Sequence, residues 1–135
     1  MASERDELEA LLVGLLHHVG QELPAQGIVK GGLVLRLLDC PRRTNDLDIV
    51  LVPYGSKRDA APKFRQALES FPCDHIDIAT HSTAIRARVH RGGVVAQVEA
   101  SVSEACRSLP MSTSSLAALH RELPRVVRVM RFEDA

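Results

Sequence analysis

Residues 30–50 read KGGLVLRLLDCPRRTNDLDIV: a Gly pair, a short apolar run, Arg42-Arg43-Thr44, then Asp46-Leu47-Asp48. In a strand, residues i and i+2 share a face. Asp46 and Asp48 therefore project side by side, roughly 7 Å apart along the backbone, while Leu47, Ile49 and Leu51 point into a core. Two like charges on one face repel. A hard divalent cation with oxygen ligands, Mg²⁺ above all, would cancel that repulsion. Two solvated acids on a half-exposed strand are the plainer alternative. Gly31-Gly32, between a strand and a helix, lets backbone come close to a ligand, and the helix start beyond it presents free N–H groups to an anion. A phosphate cradle beside a divalent metal is what a nucleoside triphosphate needs.

Working outward, Ser3 and Asp6 read as a capping box. Leu8, Leu11, Leu12, Leu15, Leu16, Val19 and Leu23 then recur at helical spacing. His17 and His18 within that helix read as solvent-facing or helix-end residues. Gly27 to Lys30 is a short strand, and Leu33 to about Leu38 a second helix, ended by Cys40-Pro41. Asp46 to Val52 is a strand. Phe64, Ala67, Leu68 and Phe71 mark one face of a third helix, whose first turn is the place that suits Pro62. After Pro72 the period becomes two. Asp74 to Ala79, Thr83 to Arg91 and Val94 to Val102 read as strands, the last two joined at Gly92-Gly93 by a hairpin turn. Pro110 to Ser115 reads as a polar loop, Leu116 to Leu123 as a short helix and Arg125 to Phe132 as a last strand. The order predicts an α/β (α+β) domain, a sheet with helices packed on it.

The chain has 135 residues, a size that suits one domain spanning 1–135 and needs no disulfide or metal staple. Its net charge is zero, so no global basic field demands nucleic acid. The polar, acid-rich start MASERDELEA reads as neither a signal nor a transit peptide. No apolar run approaches the roughly 20 residues of a membrane span, so no membrane partner is expected. Cys40, Cys73 and Cys106 form no metal or redox motif and read as reduced, mostly buried thiols of a cytoplasmic protein.

Lys30-Gly31-Gly32 followed by Arg42-Arg43-Thr44-Asn45-Asp46-Leu47-Asp48-Ile49 resembles the signature of the DNA polymerase beta nucleotidyltransferase superfamily. Within it, the wording is similar to the AbiEii/AbiGii toxin family. The motif core covers Ile28 to Val52. The resemblance implies a nucleotidyltransferase-like mixed sheet and transfer of a nucleotidyl group from a nucleoside triphosphate to an acceptor. It implies nucleotide binding by Lys30, Gly31, Gly32, Arg42 and Thr44, and Mg²⁺ (or Mn²⁺) on Asp46 and Asp48. It also implies an RNA acceptor such as a tRNA end, and an antitoxin partner. Leu33 departs from the pattern, which commonly has Ser or Thr there. The family's helical second lobe would follow the last strand. Here Glu133-Asp134-Ala135 look like a helix start with nothing behind it. The expectation is either a chain cut short or a minimal member that borrows its missing wall from a dimer mate or a partner.

Superfamily members usually add a third acid from a neighbouring strand. If Gly92-Gly93 is a two-residue turn, Arg91 faces Val94, Arg88 faces Gln97 and Arg86 faces Glu99. One face then carries Arg86, Arg88, His90, Gln97, Glu99 and Ser101, and the other packs the core. Glu99 is thus the candidate third carboxylate, as proton acceptor or metal ligand. The alternative is a cross-strand ion pair with Arg86. Asp77 is the second candidate. Two functions stay open: a Mg²⁺-dependent nucleotidyltransferase, or a catalytically weak or inactive module of that fold that binds a nucleotide or a protein partner.

Overall fold

The computed structural model describes residues 3–131. The elements are α1 (Glu4–Glu22), β1 (Gly27–Lys30), α2 (Gly32–Leu37), β2 (Asp46–Leu51), α3 (Lys57–Glu69), β3 (His75–Thr80), β4 (Ile85–Arg91), β5 (Val94–Val102), β6 (Ser108–Ser112), α4 (Ser114–Leu119) and β7 (Val126–Met130). The seven strands form one mixed sheet in the order β3-β4-β5-β2-β1-β7-β6. β2 runs parallel to β5, and β1 runs antiparallel to β2 and parallel to β7. The fold is therefore mixed α/β. The last residues, Phe132 and the Glu133-Asp134-Ala135 helix start, lie outside the described residues.

Local chemistry starts each element. Ser3 accepts from the Asp6 amide at 3.1 Å and Asp6 accepts in return from the Ser3 amide, so the capping box opens α1. Leu11, Leu12, Leu15 and Leu16 are fully buried, each contributing roughly 1.5–3 kcal/mol. α1 packs across β2, β5 and β7, and α3 against β3 and β5. These helices meet Leu47, Ile49 and Leu51 of β2 and the alternating set Ile85, Ala87, Val89, Val94, Ala96, Val98 and Ala100, all buried in the main core. At the β4–β5 hairpin, Gly92 and Gly93 have φ of 59° and 85°, the mirror-image turn that matches strand twist. Arg91 faces Val94, Arg88 faces Gln97 and Arg86 faces Glu99, as alternation predicts.

Four expectations change. Residues 108–112 form β6 rather than the start of a loop. Leu109 pairs with Val129, and Pro110 is tolerated because the strand is a sheet edge. Pro62 lies inside α3, five residues beyond Lys57 rather than in the first turn; it is exposed, where the lost amide bond meets water. Its cap is Ser56, which accepts from the Asp59 amide at 3.2 Å. His17 is buried, at 7% exposure, with Nε2 2.8 Å from Thr113 Oγ1. A histidine on a leucine-rich face needs such a partner to stay inside. The three cysteines are free but half-buried. Smaller shifts are a fourth helix that begins at Ser114 and ends at Leu119, and Phe71 lying just past the end of α3.

Candidate active site

Opposite the helices, the sheet carries charge. Strand register places Lys30 against Asp48, Asp48 against Glu99, and Glu99 against Arg86. Four charged residues thus cross four adjacent strands in one row, with the two acids flanked by a base at each end. Neighbouring strands lie about 4.8 Å apart, so Asp48 and Glu99 are immediate neighbours. The next row sets Asp46 beside Gln97, Arg88 and, on β3, Asp77.

The three acids are not equivalent. Burial pushes the Asp48 carboxyl above its ordinary pKa, and the charges of Asp46 and Glu99 push it further; Lys30 opposes them. Asp46 is raised by burial and by Glu99, with Arg86 opposing. Among the described residues, neither aspartate accepts a side-chain hydrogen bond or forms an ion pair. Glu99 is held instead: Arg86 Nε donates to its Oε1 at 3.0 Å and Gln97 Nε2 donates to the same oxygen at 2.7 Å. Both bonds fall on Oε1, and among the described residues Oε2 has no donor.

The glycine pair belongs to this cluster. Gly31 has φ of 79° and ψ of −153°, a combination open to essentially glycine alone. A Cβ built on it would lie 2.6 Å from Asp48 Oδ2, and one on Gly32 would lie 3.2 Å from Thr44 Cβ. Any larger residue at 31 would push into the carboxylate. Thr44 Oγ1 accepts from the Asp46 amide at 3.3 Å and so anchors the start of β2.

Two separate cavities are lined by these residues. One, of about 560 Å³, is lined by Lys30, Gly31, Asp48, Glu99, Ser101 and Thr83, among others. The other, of about 380 Å³, is lined by Gly32, Arg42, Thr44 and Asp46, with Arg43 and Cys40 nearby. All eight residues expected at the site, Lys30, Gly31, Gly32, Arg42, Thr44, Asp46, Asp48 and Glu99, thus line one of the two or the other. Asp77 does not join them. It sits on β3, with β4 and β5 between it and β2, and contacts His75 Nε2 at 2.7 Å and His90 Nε2 at 3.4 Å. Leu33 is 1% exposed and packs the core, so it offers nothing to a ligand. Thr83, expected to open a strand, lies instead in the loop before β4 and lines the first cavity.

The carboxylates here form a sparse donor set. Among the described residues, no three His, Cys, Asp or Glu side chains stand as a ready-made metal cage. Mg²⁺ does not need one: it is held by one or two carboxylates, with waters and substrate phosphates completing the octahedron. Asp46 and Asp48, close, partly buried and mutually repelling, suit that role. Comparison of the chain with protein families, with curated proteins and with solved structures finds no match.

Proposed function

We propose that the chain is a Mg²⁺-dependent nucleotidyltransferase of the DNA polymerase beta superfamily, similar to the AbiEii/AbiGii toxins. The observation that carries the reading is the contact of Gly31 with Asp48, in a row where Asp48 pairs in register with Lys30 on one side and Glu99 on the other. The phosphate turn, both metal-type acids and a third acid on the adjacent strand meet at one place on one sheet face.

In this reading, Asp46 and Asp48 hold Mg²⁺, which supplies Lewis-acid stabilisation of the phosphoryl oxygens. Gly31 and Gly32 let the triphosphate approach the backbone. Lys30, Arg42 and Thr44 line its path and offset its charge. The acceptor hydroxyl oxygen bonds to the α-phosphorus as the bond to the β-phosphate oxygen breaks, and pyrophosphate leaves. Glu99 Oε2, which has no donor among the described residues, takes the hydroxyl proton. The acceptor in this reading is RNA, by analogy with the toxins alone. Leu119, Leu123 and Val126 stand 63%, 81% and 65% exposed, and exposed apolar residues of this size suit an antitoxin partner or a dimer mate.

Two observations favour a second reading. Arg86 and Gln97 both tie down Glu99 Oε1, and Leu33 withholds a hydroxyl from the turn. Both suit a module that binds nucleotide with little or no transfer. Calorimetry with Mg²⁺ and each nucleoside triphosphate, followed by transfer of a labelled nucleotide to total RNA, separates the two. Binding with transfer supports the enzyme, binding without transfer the module. Absence of Mg²⁺-dependent binding refutes the nucleotide site.

A further inference from the structure

Three ionisable side chains meet between the helices, largely out of water. Glu9, on the leucine-rich α1, is 2% exposed. Arg36 of α2 grips it twice, Nε to Oε2 at 2.9 Å and Nη2 to Oε1 at 3.1 Å. His120, just past α4, lies with Nε2 2.8 Å from the same Oε1, and its side chain is 7% exposed. Burial would raise the Glu9 carboxyl, but the bonds from Arg36 and His120 outweigh it and hold the group below its ordinary range. One hydrogen-bonded triad thus ties α1, α2 and the residue that ends α4 together.

Stability alone does not account for it. Replacing a buried ion pair with packed apolar residues is often neutral or stabilising. What an apolar trio could not do is make Arg36's third bond, from Nη1 to the Cys40 carbonyl at 3.1 Å. One α1 turn earlier, on the same helix face, Asp6 pairs with Arg43 Nη1 at 2.7 Å. α1 therefore holds the segment between α2 and β2 directly at Arg43 and, through Arg36, at Cys40, on either side of Pro41 and Arg42. Thr44 follows directly and abuts Gly32.

We propose that Glu9 is a positioning residue of the candidate site: acting through Arg36, it fixes the segment 38–45 and with it the places of Arg42 and Thr44. What that placement serves rests on the nucleotide reading; the ordering of the segment does not. The test is the double variant Glu9→Leu/Arg36→Met in a His120→Leu background, which fills the space with apolar side chains, orphans no buried polar group and removes the Cys40 anchor. Its melting temperature should stay close to the parent's. The amides of Asp39 and Cys40, which donate to the Arg36 and Leu35 carbonyls, should exchange with deuterium about tenfold faster, the change expected when local opening loses a charge-assisted hydrogen bond. Exchange in β5 should not change. Affinity for Mg²⁺-ATP should fall by about the same factor. Unchanged exchange at 39 and 40 in a folded double variant overturns the proposal. If the parent binds no nucleotide, the nucleotide reading fails while the exchange result still decides the ordering. Should the double variant not fold, Glu9→Gln, which keeps shape and drops charge, is read by the same local exchange, measured against β5.

Discussion

Asp48→Asn should make the metal-free protein more stable and the metal-loaded one less so. Asp48 faces Glu99 across the parallel β2–β5 pair, has Asp46 two residues before it on the same face, and has only Lys30 opposing. Like charges directly opposite on adjacent strands cost roughly 0.2–1 kcal/mol. For a domain of this size that corresponds to a rise in melting temperature of about 1–5 °C. The sign follows from the raised pKa: in the folded protein the ionised form is disfavoured, so its cost is present at neutral pH and fades as pH falls through the raised value. The gap between variant and parent should shrink accordingly in mildly acid buffer, and comparing the two cancels the acid loss of Glu9, which both share. With Mg²⁺ and a nucleoside triphosphate at about 100 times the dissociation constant, the parent gains about 2.7 kcal/mol by mass action, and the variant should gain little. The order of melting temperatures therefore inverts between EDTA and Mg²⁺-nucleotide. Thermal melts in both buffers, at neutral and mildly acid pH, read all of this out. A variant that is less stable than the parent in EDTA, or that gains as much from Mg²⁺-nucleotide, would refute the reasoning.

Other substitutions probe the rest of the cluster. Glu99→Gln should reduce transfer far more than nucleotide binding, and a double-mutant cycle with Arg86→Met should give a small stability coupling, as partly exposed pairs do; a large coupling with activity intact would make Glu99 a structural partner only. Gly31→Ala forces a Cβ toward Asp48 Oδ2 and a glycine-only backbone onto alanine, so urea denaturation should show a loss of about 1–3 kcal/mol together with weakened nucleotide binding. Thr113→Val strips the buried hydroxyl that meets His17 Nε2 at 2.8 Å and accepts from the Arg125 amide at 3.0 Å; it should cost about 1–3 kcal/mol by the same measurement and leave nucleotide affinity unchanged. Light scattering over a range of concentrations checks the exposed Leu119, Leu123 and Val126, with a strictly monomeric chain counting against a dimer mate.

The parts legible in the sequence are those with a local cause. Ser3 and Asp6 cap α1 because their side chains reach amides three residues away. Asp46 and Asp48 share a face because strand side chains alternate. Gly92-Gly93 permits a two-residue turn, and a turn of that length leaves one register for β4 and β5. With the register known, Glu99 is placed on the polar face before any coordinates exist. Three decisions had no such local trace. The pairing of β2 with β5 brings Asp48 opposite Glu99, yet two strands so far apart in the chain become neighbours only because α1 needs both to cover its leucines. β6 is strand because β7 offers it an edge; Leu109 and Met111 alternate toward the core, but Pro110 between them reads as a break until that edge is known. Glu9 reads as one more acid on an amphipathic helix until α2 and α4 deliver Arg36 and His120 to it. Local sterics and turn chemistry act within a few residues and are written in order along the chain. The choice of neighbours is made by long-range burial, and a buried charge is tolerated only where the assembled fold supplies its partners.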